Sequence, residues 1–189
     1  MAFKNSEEDN VWVNACLEGD EFAFKKLLDK YLRPIYGFLY YLTGDATQIE
    51  DLAQETFVKA WKNLSKFDQS KNFKTWLFAI AKNTALDWLK KKKTTPFSFF
   101  SDEEGNNKLE SIAEDSVLPG EILERKDAVR EMENLLDRIP EKYRVILILH
   151  YKESFSLSEI AKILDKPYNT VKAYHARALS QLKKAFLDK

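Results

Sequence analysis

The sequence predicts an all-α protein: two small helical domains, residues 6–94 and 121–187, joined by an acidic flexible linker over 95–120. Three observations predict it. Apolar residues recur at helical spacing through both halves. Only 5 Gly and 5 Pro occur among 189 residues, which helices tolerate and a many-stranded sheet does not. Between the halves, residues 97–121 carry seven acids against Lys108 and lose all periodicity.

The elements follow in order. A short helix near Val11–Leu17 precedes one carrying Leu27, Tyr31, Ile35, Phe38, Leu39 and Leu42. A third holds Ile49, Leu52, Ala53, Thr56, Ala60, Trp61 and Leu64, and a fourth Leu77, Ile80, Ala81, Thr84 and Trp88. Amphipathic helices of this length can bury one shared core. Its members should include Leu52, Thr56, Trp61 and Leu64, with Trp76 and Trp88 mostly inside. The stretch Thr94–Gly120 holds Pro96, Gly105, Pro119 and Asp102–Glu103–Glu104 and reads as the linker.

Past the linker, Glu121–Asp137 is predicted helical, with Glu121 and Arg125 paired at i,i+4. Pro140 starts a helix through His150, bearing Tyr143, Ile146, Leu147 and Leu149. Ser156 with Glu159 makes a capping box. Asp165, Lys166 and Pro167 break that helix, and a last one runs to about Phe186.

Composition excludes several classes. One thiol, Cys16, cannot close an internal disulfide, so a reducing compartment fits. The start MAFKNSEEDN has no apolar core and reads as no signal peptide, and no run approaches the roughly 18 apolar residues of a membrane span. A soluble, cytoplasmic protein without membrane insertion is expected. The 30 Lys plus Arg balance 30 Asp plus Glu, which argues against holding DNA by bulk charge. The distribution is uneven: residues 82–93 sum to +4, residues 166–189 to +5 and residues 97–121 to −6.

The stretch SLSEIAKILDKPYNTVKAYHARALSQLKK carries the strongest local signal. A short helix, a tight turn and a longer helix form a helix-turn-helix. In the second helix Val171, His175, Ala178, Leu182 and Phe186 share a docking face. The opposite face presents Asn169, Lys172, Ala173, Ala176, Arg177, Ser180 and Lys184. Donors, cations and small residues suit a helix in a major groove. His175, on the apolar face with no second His or Cys nearby in sequence, is expected to pack rather than bind metal.

The second informative stretch is IEDLAQETFVKAWKNLSKF followed by FKTWLFAIAKNTALDWLKKKK. A DLAQETF-type helix, a loop, an FKTWL helix ending in lysines, an acidic linker and a helix-turn-helix together resemble the sigma-70 family. The two-domain form resembles its extracytoplasmic-function (ECF) group, over roughly residues 11–187.

That resemblance implies a sigma factor that binds core RNA polymerase and directs initiation at promoter DNA. The first domain would be region 2-like and the second region 4-like. The outward residues Asp51, Gln54, Glu55 and Lys59 would meet the clamp helices of the largest polymerase subunit. The loop and helix beyond would open the minus-ten element, through Phe67, Asp68, Gln69, Asn72, Phe73, Lys74, Lys82, Asn83, Asp87, Lys90 and Lys91. Capturing an extruded base by stacking and edge hydrogen bonds offsets the cost of opening DNA. The helix-turn-helix would read the minus-thirty-five element with Tyr168, Asn169, Thr170, Lys172, Ala173, Ala176 and Arg177. Many family members carry Arg where this chain has Tyr174 and Leu179, which shifts weight to Lys172 and Arg177.

The linker would thread the polymerase toward the RNA exit path, and in the free chain it could mask the basic DNA surfaces. An anti-sigma partner, unidentified by the sequence, is implied. It or the polymerase flap could use apolar surface near Ile146, Leu149 and Leu157. No cofactor or metal is implied. Two other readings compete. A LuxR-like operator-binding regulator shares the C-terminal motif, but the N-terminal half has no alternating strands for a receiver. An enzyme would need more than two His, one Cys and no phosphate loop. Asp51 with Glu55 could in principle bind a cation, but exposed carboxylate pairs are usually solvated.

Overall fold

The computed structural model describes residues 7–92, 135, 136 and 138–187. Seven helices lie among the described residues: α1 Glu7–Leu17, α2 Glu21–Thr43, α3 Ile49–Asn63, α4 Phe73–Lys92, α5 Glu141–Leu147, α6 Leu157–Leu164 and α7 Tyr168–Leu187. A π-helical turn, Ile148–Lys152, extends α5, and no strand occurs among the described residues. The expected linker and most of the helix predicted over Glu121–Asp137 lie outside them.

Local chemistry sets the boundaries. The Asp20 carboxylate accepts from the Phe22 and Ala23 amides and starts α2. Gly44, at φ 63°, ends it by donating to the Tyr40 carbonyl, a left-handed cap that costs glycine little. Along α2 the expected stripe of Leu27, Tyr31, Ile35, Phe38, Leu39 and Leu42 is buried. On α3 Ile49, Leu52, Ala53, Thr56 and Ala60 face inward, and the Thr56 hydroxyl is satisfied by the Leu52 carbonyl at 2.7 Å. Trp61 departs from expectation. It is 42% exposed, because its ring lies edge-on to Phe24 at the rim between α2 and α3 rather than in the core.

α1 closes the end of this bundle. Its Asp9 is buried and accepts from the Tyr31 hydroxyl at 2.6 Å and the Lys30 ammonium at 2.7 Å, so the carboxylate is compensated. Burial, with Asp9 adding to it, drives the Tyr31 hydroxyl far above its ordinary pKa. Cys16 is also buried there, and burial first, then Asp20, pushes its thiol up to about 11.

In the C-terminal half the capping box forms as expected. Ser156 Oγ accepts from the Glu159 amide, and the Glu159 carboxylate accepts from the Ser156 amide at 2.9 Å. Asp165, at φ 54°, turns the chain from α6 into α7. Ile146 and Leu149, expected to offer partner surface, are instead fully buried, because α5 packs against both α7 and α2. Phe186 also departs: it is exposed near the end of α7 rather than docked.

The two halves pack directly on each other. α4 lies along α6 and α2 meets α5, so one apolar core contains Phe38, Phe78 and Ala81 together with Ile146, Phe155, Ile160 and Ile163. Helical periodicity identifies which face is apolar but not what covers it.

Candidate nucleic-acid interface

Three surfaces carry the sequence-derived candidates. The first is α3 with the adjoining flank of α2. Asp51, Gln54 and Glu55 are exposed, as their outward register requires. Lys59 is half-buried instead: its ammonium pairs with Glu55 at 2.8 Å and donates to Thr84 Oγ1 at 3.2 Å, tying α3 to α4. Beside Gln54 lies an apolar groove of about 600 Å³, lined by Phe24, Leu28, Leu32, Tyr36, Phe57, Val58 and Trp61. Sequence reading missed this groove. The signal was present: Gln54, Val58 and Trp61 fall at i, i+4 and i+7, so two large apolar side chains share the outward face of α3.

The second surface is the loop from Phe67 to the start of α4. Asp68 Oδ1 accepts from the Ser70 amide at 3.0 Å and the Ser70 hydroxyl at 2.7 Å, and these bonds lower its pKa from the ordinary value. Gln69 is exposed. Asn72 caps α4, its Oδ1 accepting from the Thr75 amide at 3.0 Å. Phe67 and Phe73, expected to stack on an extruded base, are buried. Their rings meet edge-on at 5.7 Å, and both contact Trp76, at 5.0 and 5.6 Å. They build the floor of the loop and do not present a ring to DNA.

Along α4, Asn83, Asp87, Lys90 and Lys91 are exposed. Lys74 and Lys82 are not, against expectation. Lys74 donates to the Glu153 carbonyl, sits 3.6 Å from the Glu153 carboxylate and lies over the Phe155 and Phe78 rings. Burial outweighs Glu153 and lowers the Lys74 pKa; burial likewise outweighs Lys74 and Lys152 and raises that of Glu153. Lys82 is 7% exposed, and burial lowers its pKa against the pull of Asp165.

The third surface is α7. Tyr168, Asn169 and Lys172 are exposed, and Thr170, Ala173, Ala176 and Arg177 are partly exposed along the same helix. Tyr174 is buried, its ring edge-on to Tyr143 at 5.6 Å, so an arginine at this position could not pack as the tyrosine does. His175 does have a second histidine nearby, which its sequence neighbourhood concealed. The His150 and His175 rings lie 5.0 Å apart, and the Tyr151 ring stacks on His175. His150 Nδ1 bonds the Phe155 carbonyl at 2.7 Å. Burial first, then His150, lowers the His175 pKa. Among the described residues no group of three or more His, Cys, Asp or Glu could hold a metal. No described helix is long and apolar enough to cross a membrane.

These geometries match known proteins. The Sigma-70 region 2 family model fits residues 27–95, and the Sigma-70, region 4 model fits residues 130–182. The chain is 34% identical over 173 residues to the ECF RNA polymerase sigma factor SigW of Bacillus subtilis, covering 90% of this chain and 92% of that one. It is 30% identical to SigX of the same organism, covering 87% and 84%. The solved sigma factor RpoE of Bartonella quintana, in complex with the anti-sigma factor NepR, superposes with a TM-score of 0.64 at 26% identity, covering 86% of this chain and 96% of that one. A region 2 match in the N-terminal half leaves no support for the LuxR-like reading. The chain belongs to the sigma-70 family, in its ECF group, and acts with RNA polymerase in promoter-directed initiation of transcription.

Proposed function

We propose that residues 6–94 form the module that docks on core polymerase and opens the minus-ten element, and that residues 121–187 form the module that reads the minus-thirty-five element. The observation that carries this reading is the separation of exposed faces. α3 offers acids beside an apolar groove, and α7 offers donors and small side chains. Acids flanking a groove suit a partner helix with basic and apolar positions, which the polymerase clamp would supply. Docking residues are then Asp51, Gln54 and Glu55, with Val58 and Trp61 as apolar anchors; Lys59 acts by bracing α3 on α4.

Opening of the DNA falls to Asp68, Gln69 and Asn72 at the loop, with Asn83, Asp87, Lys90 and Lys91 along α4. Lys74 and Lys82 join them once uncovered, and Phe67 and Phe73 serve by holding the loop. Tyr168, Asn169, Thr170, Lys172, Ala173, Ala176 and Arg177 line the groove-facing side of α7. The RpoE relative was solved with an anti-sigma factor, which supports an anti-sigma partner here. We place the protein in the cytoplasm and assign it no catalytic step.

Run-off transcription with purified core polymerase over a promoter library tests the scheme. Lys172→Ala with Arg177→Ala should weaken use of the upstream element alone. Asp51→Asn with Glu55→Gln should weaken assembly with core at every promoter. If the two phenotypes exchange, the assignment of faces is wrong.

A further inference from the structure

The contact between the halves is built from the side chains that the minus-ten reading requires. The loop between α5 and α6 enters the flank of α4. Its Glu153, 8% exposed, holds the Lys74 ammonium, and its Phe155 meets Phe78 edge-on at 4.9 Å. Lys152 lies over the Tyr41 ring at 4.9 Å, close to Gly37, where a Cβ would stand 3.5 Å from its ammonium. Farther along α4, Lys82 is buried within the influence of Asp165, at the turn of the helix-turn-helix.

We propose that the free chain masks itself: the Glu153–Phe155 loop latches the helix-turn-helix module onto α4 and takes Lys74 and Lys82 out of reach of the melted strand. This rests on the assignment of both lysines to minus-ten DNA. Such a contact is reversible by construction. A charged pair at its centre is replaceable by phosphate, and a cleft of about 340 Å³ beside it keeps the pair near solvent. Each half also retains helices that pack among themselves, α1 to α4 in one and α5 to α7 in the other. Masking therefore needs no linker. Strand capture and latch closure compete for the same ammonium groups, so the module must swing away before the lysines can act.

The test uses the full chain without polymerase. Glu153→Lys with Phe155→Ala places two cations together and removes the aromatic contact. Small-angle scattering reads compaction, and fluorescence anisotropy reads binding of mixed-sequence single-stranded DNA of roughly 12 nucleotides. If the latched form holds about nine-tenths of the molecules, release raises apparent affinity about tenfold. The expected result is an expanded particle of unchanged helicity that binds more tightly. Adding Lys74→Glu to Glu153→Lys should restore the compact particle, which a variant that merely misfolds would not do. Unchanged scattering overturns the latch. Expansion without tighter binding overturns the masking. In that last case Lys74→Ala and Lys82→Ala, assayed in holoenzyme, locate the fault: normal promoter opening means the lysines were misassigned, and impaired opening means that only the masking fails.

Discussion

Phe67 and Phe73 have the aromatic character a base-capturing loop needs, yet each ring is spent on the other and on Trp76. Phe67→Ala should therefore cost about 3–5 kcal/mol of stability, seen as an earlier urea midpoint. Gln69→Ala, at an exposed position of the same loop, should stay within about 0.5 kcal/mol while slowing promoter opening. His175 gives a second test. Burial and His150 hold its imidazole neutral in the folded chain, so the unfolded chain binds the extra proton. The stability it contributes is complete above about pH 6.5 and is lost as the pH falls below that. Urea midpoints for the native chain and His175→Gln should diverge between about pH 7.5 and 5, with the variant showing the flatter profile. Neither result was readable from sequence, since ring partners come from distant elements and periodicity reports only an inward face.

At the scale of the element, legibility was high wherever the signal was local. The capping box at Ser156 and Glu159 forms with both of its bonds, because the four residues involved need nothing else. Ser156→Ala should cost about 1 kcal/mol, measured by thermal unfolding, and should fray the first turn of α6. The stripe on α2 was equally clear. On α3 the pattern overreached. Trp61 continues the apolar series by spacing, but it lies beyond the width that α2 and α4 cover and ends at the groove. Tyr174 misled in the other direction. Compared with an arginine-bearing pattern it looked like lost DNA readout, whereas its ring completes the packing of α5 on α7. For α7 the expected effect of Lys172→Ala is a salt dependence of holoenzyme–promoter affinity shallower by about one unit, the loss of one phosphate contact.

For the whole molecule, charge was readable in sum and in distribution, and it correctly argued against a stand-alone duplex binder of the bulk-electrostatic kind. What charge could not give was the closure of one half upon the other. That contact joins residues 79 positions apart, Lys74 and Glu153, and no sequence periodicity spans such a gap. The sequence did suggest self-masking, through the acidic linker, which lies outside the described residues. Within them, the loop before α6 supplies the cover instead.

Cys16 has a consequence at this same scale. A thiol enclosed between α1 and its neighbours, with its pKa near 11, leaves roughly one molecule in ten thousand as thiolate at neutral pH. Peroxide and electrophiles attack that form, so an oxidant finds almost nothing on this chain to react with. Iodoacetamide at neutral pH should modify the native protein far more slowly than the urea-unfolded one, and peroxide should leave its transcription activity intact. A cell using this factor to answer oxidative damage would need some other molecule to detect it.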